Sequence, residues 1–259
     1  MKKLFAALLA VALTVSLFAG CAKKGYRTVD EIKSSGEIVL LTNAMFEPYE
    51  YIAGGKVVGA DIDLAQLVAD ELGVKLKILD MDFDGLVDAL ASGKGDFIAA
   101  GMANNPERAK VVDFSIEYVH NSLHIIIPAD STIAGVDDLA GKRIAVQEGT
   151  TSDDFVRGSV PDASVLAFKD AVVAGNAVSD GRADACILDL KPAEGVAANS
   201  NGKLIVLDEV VGEEELMSMA AGKGNQGLVD IINSVLRKAI DNGTVDERVQ
   251  YHMDATTGG

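Results

Sequence analysis

From residue 37 onward, short apolar runs of strand length alternate with longer segments of helical periodicity, and this alternation constrains the fold more than any other feature of the chain. A strand repeats its faces every two residues and a helix about every 3.6, so switching between the two periods marks β-α-β units with parallel strands. Strands are predicted at 38–42, 75–81 and 96–101. Between them, Ile62, Ala65, Ala69 and Leu72 share one face of a helix over 61–72 that stops at Gly73, and Asp84 is placed to cap a helix over 85–92 before Gly93. After residues 124–128 the alternation starts again, with strands at 143–147, 165–168 and 183–188 and helices at 152–157, 170–179 and 192–199. A short strand near 217–221 and helices over 226–241 and 245–251 close the chain. Two such sets predict an α/β protein of two lobes, each built on a mainly parallel sheet flanked by helices.

The first residues set the compartment. Met1-Lys2-Lys3 supplies a positive start, and residues 4–18 are almost uninterruptedly apolar, which predicts a secretory signal peptide over residues 1–20. The run falls short of the roughly 20 apolar residues that a membrane-spanning helix needs. Leu17-Phe18-Ala19-Gly20-Cys21 resembles the bacterial lipobox, so Cys21 is expected to be the lipidated first residue of the exported chain. Two or more acyl chains anchor a protein stably where one holds it marginally. Residues 21–36, rich in Lys, Gly and Ser, are expected to be a tether from that anchor, on the outer face of the cell membrane or facing a periplasm, with the lipid as the only membrane contact.

Lys and Arg total 23 against 39 Asp and Glu, a net charge of −16. Such a field repels phosphate backbones and argues against nucleic-acid binding. With Cys21 assigned to lipid, Cys186 stands alone inside a predicted strand and reads as a packing residue. Asp61, Asp63 and Asp84 sit at helix starts, where the macrodipole favours carboxylates, so no metal is expected, and no cofactor. His120 and His124 lack the partners or spacing of a catalytic triad or a metal site.

Ligands of open parallel sheets bind beyond the carboxyl ends of the strands. The residues just after the predicted strands are Asn43 to Tyr49, Asp82-Phe83, Gly101 to Arg108, Gln147 to Ser152, and Asp189. They contain a cation at a loop-to-helix junction (Arg108), an anion after a strand (Asp189), aromatic rings (Phe46, Tyr49, Phe83) and backbone donors at a helix start (Thr150 to Ser152). An α-amino acid needs these types: its carboxylate suits the guanidinium fork and a helix N-terminus, and its ammonium suits a carboxylate and aromatic faces.

A resemblance sharpens the assignment. Phe46-Glu47-Pro48-Tyr49-Glu50-Tyr51, Gly59-Ala60-Asp61-Ile62-Asp63-Leu64, Met81-Asp82-Phe83-Asp84-Gly85-Leu86 and Pro106-Glu107-Arg108, followed by Val112-Asp113-Phe114-Ser115, come in the order seen in the amino-acid class of bacterial solute-binding proteins. The match continues through residues 137–151 and 181–189, so the chain resembles that class over nearly its whole exported length. The resemblance implies a type II periplasmic-binding-protein fold that captures an amino acid or similar zwitterion and delivers it to the membrane subunits of an ABC importer. It implies that Arg108 holds the ligand carboxylate with the backbone at Thr150 and Thr151, and that Asp189 and the Gly101 carbonyl hold the ammonium. Phe46 and Phe83 would sandwich the ligand, and Asn43 and Gln147 would read its side chain.

The class usually carries Thr-x-Thr before the Glu-Arg pair. Here Ala103-Asn104-Asn105-Pro106 stands there, so a hydroxyl that would touch the ligand is absent at Ala103. By the same resemblance, residues 37–119 and 219–259 form lobe 1, 124–213 lobe 2, and 120–123 with 214–218 a two-strand hinge, in a protein expected to act as a monomer. The alternative is a dehydratase of the cyclohexadienyl or arogenate type on the same fold, for which Glu148 or His120 would be the available acid.

Overall fold

The computed structural model describes residues 25–257; the predicted signal peptide and Cys21 lie outside them. The first half of the chain runs through α1 (Val29–Ser35), β1 (Glu37–Thr42), a small antiparallel sheet of β2 (Met45–Phe46), β3 (Glu50–Ala53) and β4 (Lys56–Val58), then α2 (Ala60–Leu72), β5 (Lys75–Asp80), α3 (Leu86–Ala91) and β6 (Phe97–Ile98). The 17-residue strand β7 (Val112–Pro128) leads into the second half: β8 (Arg143–Gln147), α4 (Thr151–Ser159), β9 (Ser164–Phe168), α5 (Ala171–Ser179), β10 (Ala185–Asp189) and α6 (Leu190–Ala198). The 19-residue β11 (Leu204–Gly222) returns the chain to the first half, where α7 (Gln226–Asp241) and α8 (Thr244–Thr257) end it.

The larger sheet has eight strands in the order β5-β1-β6-β11-β7-β10-β8-β9. β1 is parallel to β5 and β6, and β8 is parallel to β9 and β10. Between these parallel halves, β7 and β11 pair antiparallel and cross from one to the other. Ile38, Leu40 and Leu41 on β1 and all five residues of β10 are buried, as expected for strands covered by helices on both faces. α7 buries Leu228, Val229, Ile232, Val235, Leu236 and Ala239, a stripe at helical spacing that closes over the first half.

Four sequence expectations need correction. The tether does not extend to residue 36: Thr28 and Glu31 form a capping box that starts α1, Ile32 is fully buried, and Arg27 forms an ion pair with the buried Asp96, whose carboxylate also accepts the Val39 N–H at 2.7 Å. The short β2–β4 sheet falls between residues 43 and 60, where no strand was predicted. β7 was not predicted as one strand, and β11 runs far beyond the segment predicted at 217–221; bulges in their pairing let each strand serve both halves. Asp84 caps no helix and instead pairs with Lys169 at 2.8 Å. Cys186 is buried in β10, where burial raises its thiol pKa, as a packing residue requires.

Candidate functional site

Beyond the carboxyl ends of β1, β6, β8 and β10 the two halves face each other across a narrow cavity. Phe46, Phe83, Gly101, Ala103 and Arg108 line it from the first half, and Gln147, Thr150, Thr151 and Asp189 from the second. Nine residues named from the sequence thus meet in one place.

Arg108 is positioned by its own loop. The Asn105 side chain accepts the Arg108 N–H at 2.8 Å, and the Arg108 guanidinium donates to the Ala103 carbonyl at 2.8 Å. The stretch that lacks the threonine hydroxyls therefore still fixes the arginine, through an asparagine cap and a carbonyl. A second guanidinium nitrogen reaches across to the Gly149 carbonyl of the other half at 3.1 Å, and the guanidinium carbon lies 5.3 Å from the centre of the Phe83 ring, in cation–π range. Burial lowers the Arg108 pKa, and nearby Glu215, Asp154 and Asp189 oppose that shift.

Asp189 ends β10 and precedes α6, but its side chain does not cap that helix. It accepts a hydrogen bond from the Asn121 amide of β7 instead. It is 8 % exposed, and burial followed by the charge of Glu215 pushes its pKa well above the ordinary carboxylate range. On α4, the Thr150 hydroxyl caps the helix by accepting the Asp153 N–H, which leaves the first-turn N–H groups at the cavity edge.

Gly101 has φ +53, and a Cβ there would lie 2.5 Å from the Phe46 ring, so only glycine fits under that ring. Asp61 holds it: the carboxylate accepts the Gly101 N–H at 2.8 Å and the Tyr118 hydroxyl at 2.7 Å. Asp61 is thus a buried tertiary anchor rather than simply a helix-start carboxylate. Beside it, Glu50 is fully buried, and its carboxyl interacts with that of Asp61.

Two residues named from the sequence do not line the cavity. Tyr49 stacks behind Phe46 at 5.7 Å and faces a second groove with Tyr118, His120 and Lys191. The Asn43 amide is turned to the Met81 carbonyl at 3.0 Å and accepts from Gln147 across the halves at 2.8 Å. Of the two candidates for a dehydratase's acid, Glu148 pairs with Lys169 at 2.9 Å outside the cavity and His120 pairs with Glu214 at 2.9 Å, away from it. Glu215, by contrast, lines the cavity and was not named. It sits in the acidic run Glu213-Glu214-Glu215 on a crossing strand, and nothing in that run distinguishes the one side chain that lines the cavity.

A two-lobed α/β scaffold with two crossing strands, and a cleft presenting a cation from one half and an anion from the other, defines a type II solute-binding protein. The chain belongs to the bacterial extracellular solute-binding proteins, family 3, which it matches over residues 38–255. It is 31 % identical over 256 residues to the arginine-binding extracellular protein ArtP of Bacillus subtilis, covering 95 % of this chain and 96 % of that one. The amino acid ABC transporter substrate-binding protein AbpA of Streptococcus pneumoniae, bound to L-arginine, superposes with a TM-score of 0.84 at 28 % identity, over 88 % of this chain and 99 % of that one. The arginine-bound form of truncated ArgBP from T. maritima gives 0.77 at 40 % identity, over 81 % and 99 %. These relatives are binding proteins, not enzymes.

Proposed function

We propose that this chain captures a cationic amino acid of the arginine type between its halves and presents it to the membrane subunits of an ABC importer. One observation carries the proposal: Arg108 of the first half and Asp189 of the second line the same small cavity, with Arg108 already reaching Gly149 across the gap. The ligand carboxylate would take the guanidinium and the N–H groups at Thr150 and Thr151, and the ammonium would take Asp189 and the Gly101 carbonyl. Phe46 and Phe83 would hold its stem, and Gln147 would meet its side chain. The named ligands of ArtP, AbpA and ArgBP support the choice of arginine.

Lobe 1 comprises 25–119 and 219–257 and lobe 2 comprises 124–213, joined by the crossing segments 120–123 and 214–218. Closure about a hinge is general to periplasmic binding proteins. Here its driving force is a ligand that both lobes contact only when closed. Cys21 carries the lipid that keeps the protein beside its importer on the outer face of the membrane, as the lipobox pattern supports. A thermal-shift panel of amino acids, followed by calorimetry, tests the reading: arginine, lysine or histidine should raise the melting temperature, and a panel in which none does so overturns it. Loss of membrane association in Cys21→Ser tests the anchor.

A further inference from the structure

We propose that Glu215 is the charge selector of this cleft: with Asp189 it supplies one negative charge more than Arg108 balances, so a cationic amino acid is preferred and is taken up with release of a proton. The inference rests on the amino-acid reading above and extends it to the chemistry that chooses among amino acids.

Glu215 lies opposite Asn121 of β7, and Asp189 lies opposite Leu123 of the same strand, from the strands on either side. Both side chains enter the cavity that Arg108 faces. The other groups about the pair are Thr151, which donates to Glu215, Asp154 of α4, and the Asn121 amide on Asp189. Tyr49 and the buried Glu50 also interact electrostatically with Asp189. Two other charged sets are occupied elsewhere: His120 with Glu214 lies outside the cavity, and Lys169 is neutralised by Asp84 and Glu148.

A neutral zwitterion satisfies Arg108 with its carboxylate and one acid with its ammonium, leaving the second carboxylate enclosed and uncompensated. Such a buried charge is costly, and it is avoided either by a proton or by a second cation. Burial raises both carboxyls, Asp189 further through the charge of Glu215, so the pair readily holds one proton. A ligand guanidinium or ammonium replaces that proton: the O–H bond breaks, the carboxylate pairs with the ligand cation, and the proton leaves to the buffer. With a neutral ligand the proton stays.

Calorimetric titration of the intact exported chain with L-arginine, in buffers of different ionisation enthalpy, reads this directly. The expected result is release of up to one proton per arginine, and an affinity that rises with pH by up to about tenfold per unit until the pair is ionised. For Glu215→Gln, which keeps the side chain's size, arginine should bind at least about tenfold more weakly while neutral citrulline binds as well as before or better, and proton release should vanish. If the variant fails to fold, the buffer series on the unaltered protein decides alone. Arginine binding without proton release, or an arginine-to-citrulline preference unchanged in Glu215→Gln, overturns the role of Glu215 and leaves the amino-acid reading standing. Binding of only neutral or acidic amino acids overturns the proposed ligand as well.

Discussion

Arg108 meets its surroundings through a guanidinium that bridges two halves of the molecule, and the loss of one such charged interaction sets the size of its effect. Charged hydrogen bonds contribute about 1.5–3 kcal/mol, so Arg108→Ala should weaken ligand binding by about one to two decades by calorimetry. Glu50 shows the opposite economy. It is enclosed against Asp61, and burial, then the charge of Asp61, pushes its pKa well above the usual range. A carboxyl raised on folding contributes stability that is complete below its unfolded pKa and lost as pH rises toward its folded one. Glu50→Gln removes that loss. Urea unfolding should show the variant level with the parent near pH 4 and increasingly more stable as pH rises, by about 1.4 kcal/mol per unit until Glu50 ionises in the folded protein. The same sign applies to Asp61, raised by burial to about 6, although its bonds to Gly101 and Tyr118 make substitution there disruptive to the cleft floor.

At the scale of elements, α1 is the part of the fold that the sequence misrepresented. Its composition reads as a tether because Lys, Gly and Ser are judged by type, whereas Arg27, Thr28 and Ile32 act by position. Arg27→Ala should cost about 1–2 kcal/mol in chemical unfolding, because it leaves the buried Asp96 carboxylate without its cation; no change would return the segment to a tether. The crossover helices and parallel strands were legible because apolar periodicity is a local signal. β7 and β11 were less so: their burial changes as they pass from one half to the other, and their mutual pairing is set by residues about a hundred positions apart. The site followed the same division. Arg108 and Asp189 were legible because they follow strands within recognisable motifs, while Glu215 became visible only once β11 was known to cross beside the cleft.

For the whole molecule, the lobes are held together at the cleft rim by Lys169 of the second half against Asp84 of the first, at 2.8 Å. The pair is exposed, so its contribution is small and screened by salt. Lys169→Ala should therefore shift the balance toward the open form, seen as a larger radius of gyration in small-angle scattering without ligand, with saturating ligand restoring the closed dimension. The negative field of a chain at −16 favours the approach of a cationic ligand, so association with arginine should slow as ionic strength rises. The central claim is that one amino acid is gripped by charges drawn from both lobes. A crystal structure with L-arginine at saturation tests it most directly. The carboxylate should lie about 2.7–3.0 Å from the Arg108 guanidinium and the ammonium at the same range from the Asp189 carboxylate; arginine bound to one lobe alone, or outside the cavity that these two residues share, would contradict it.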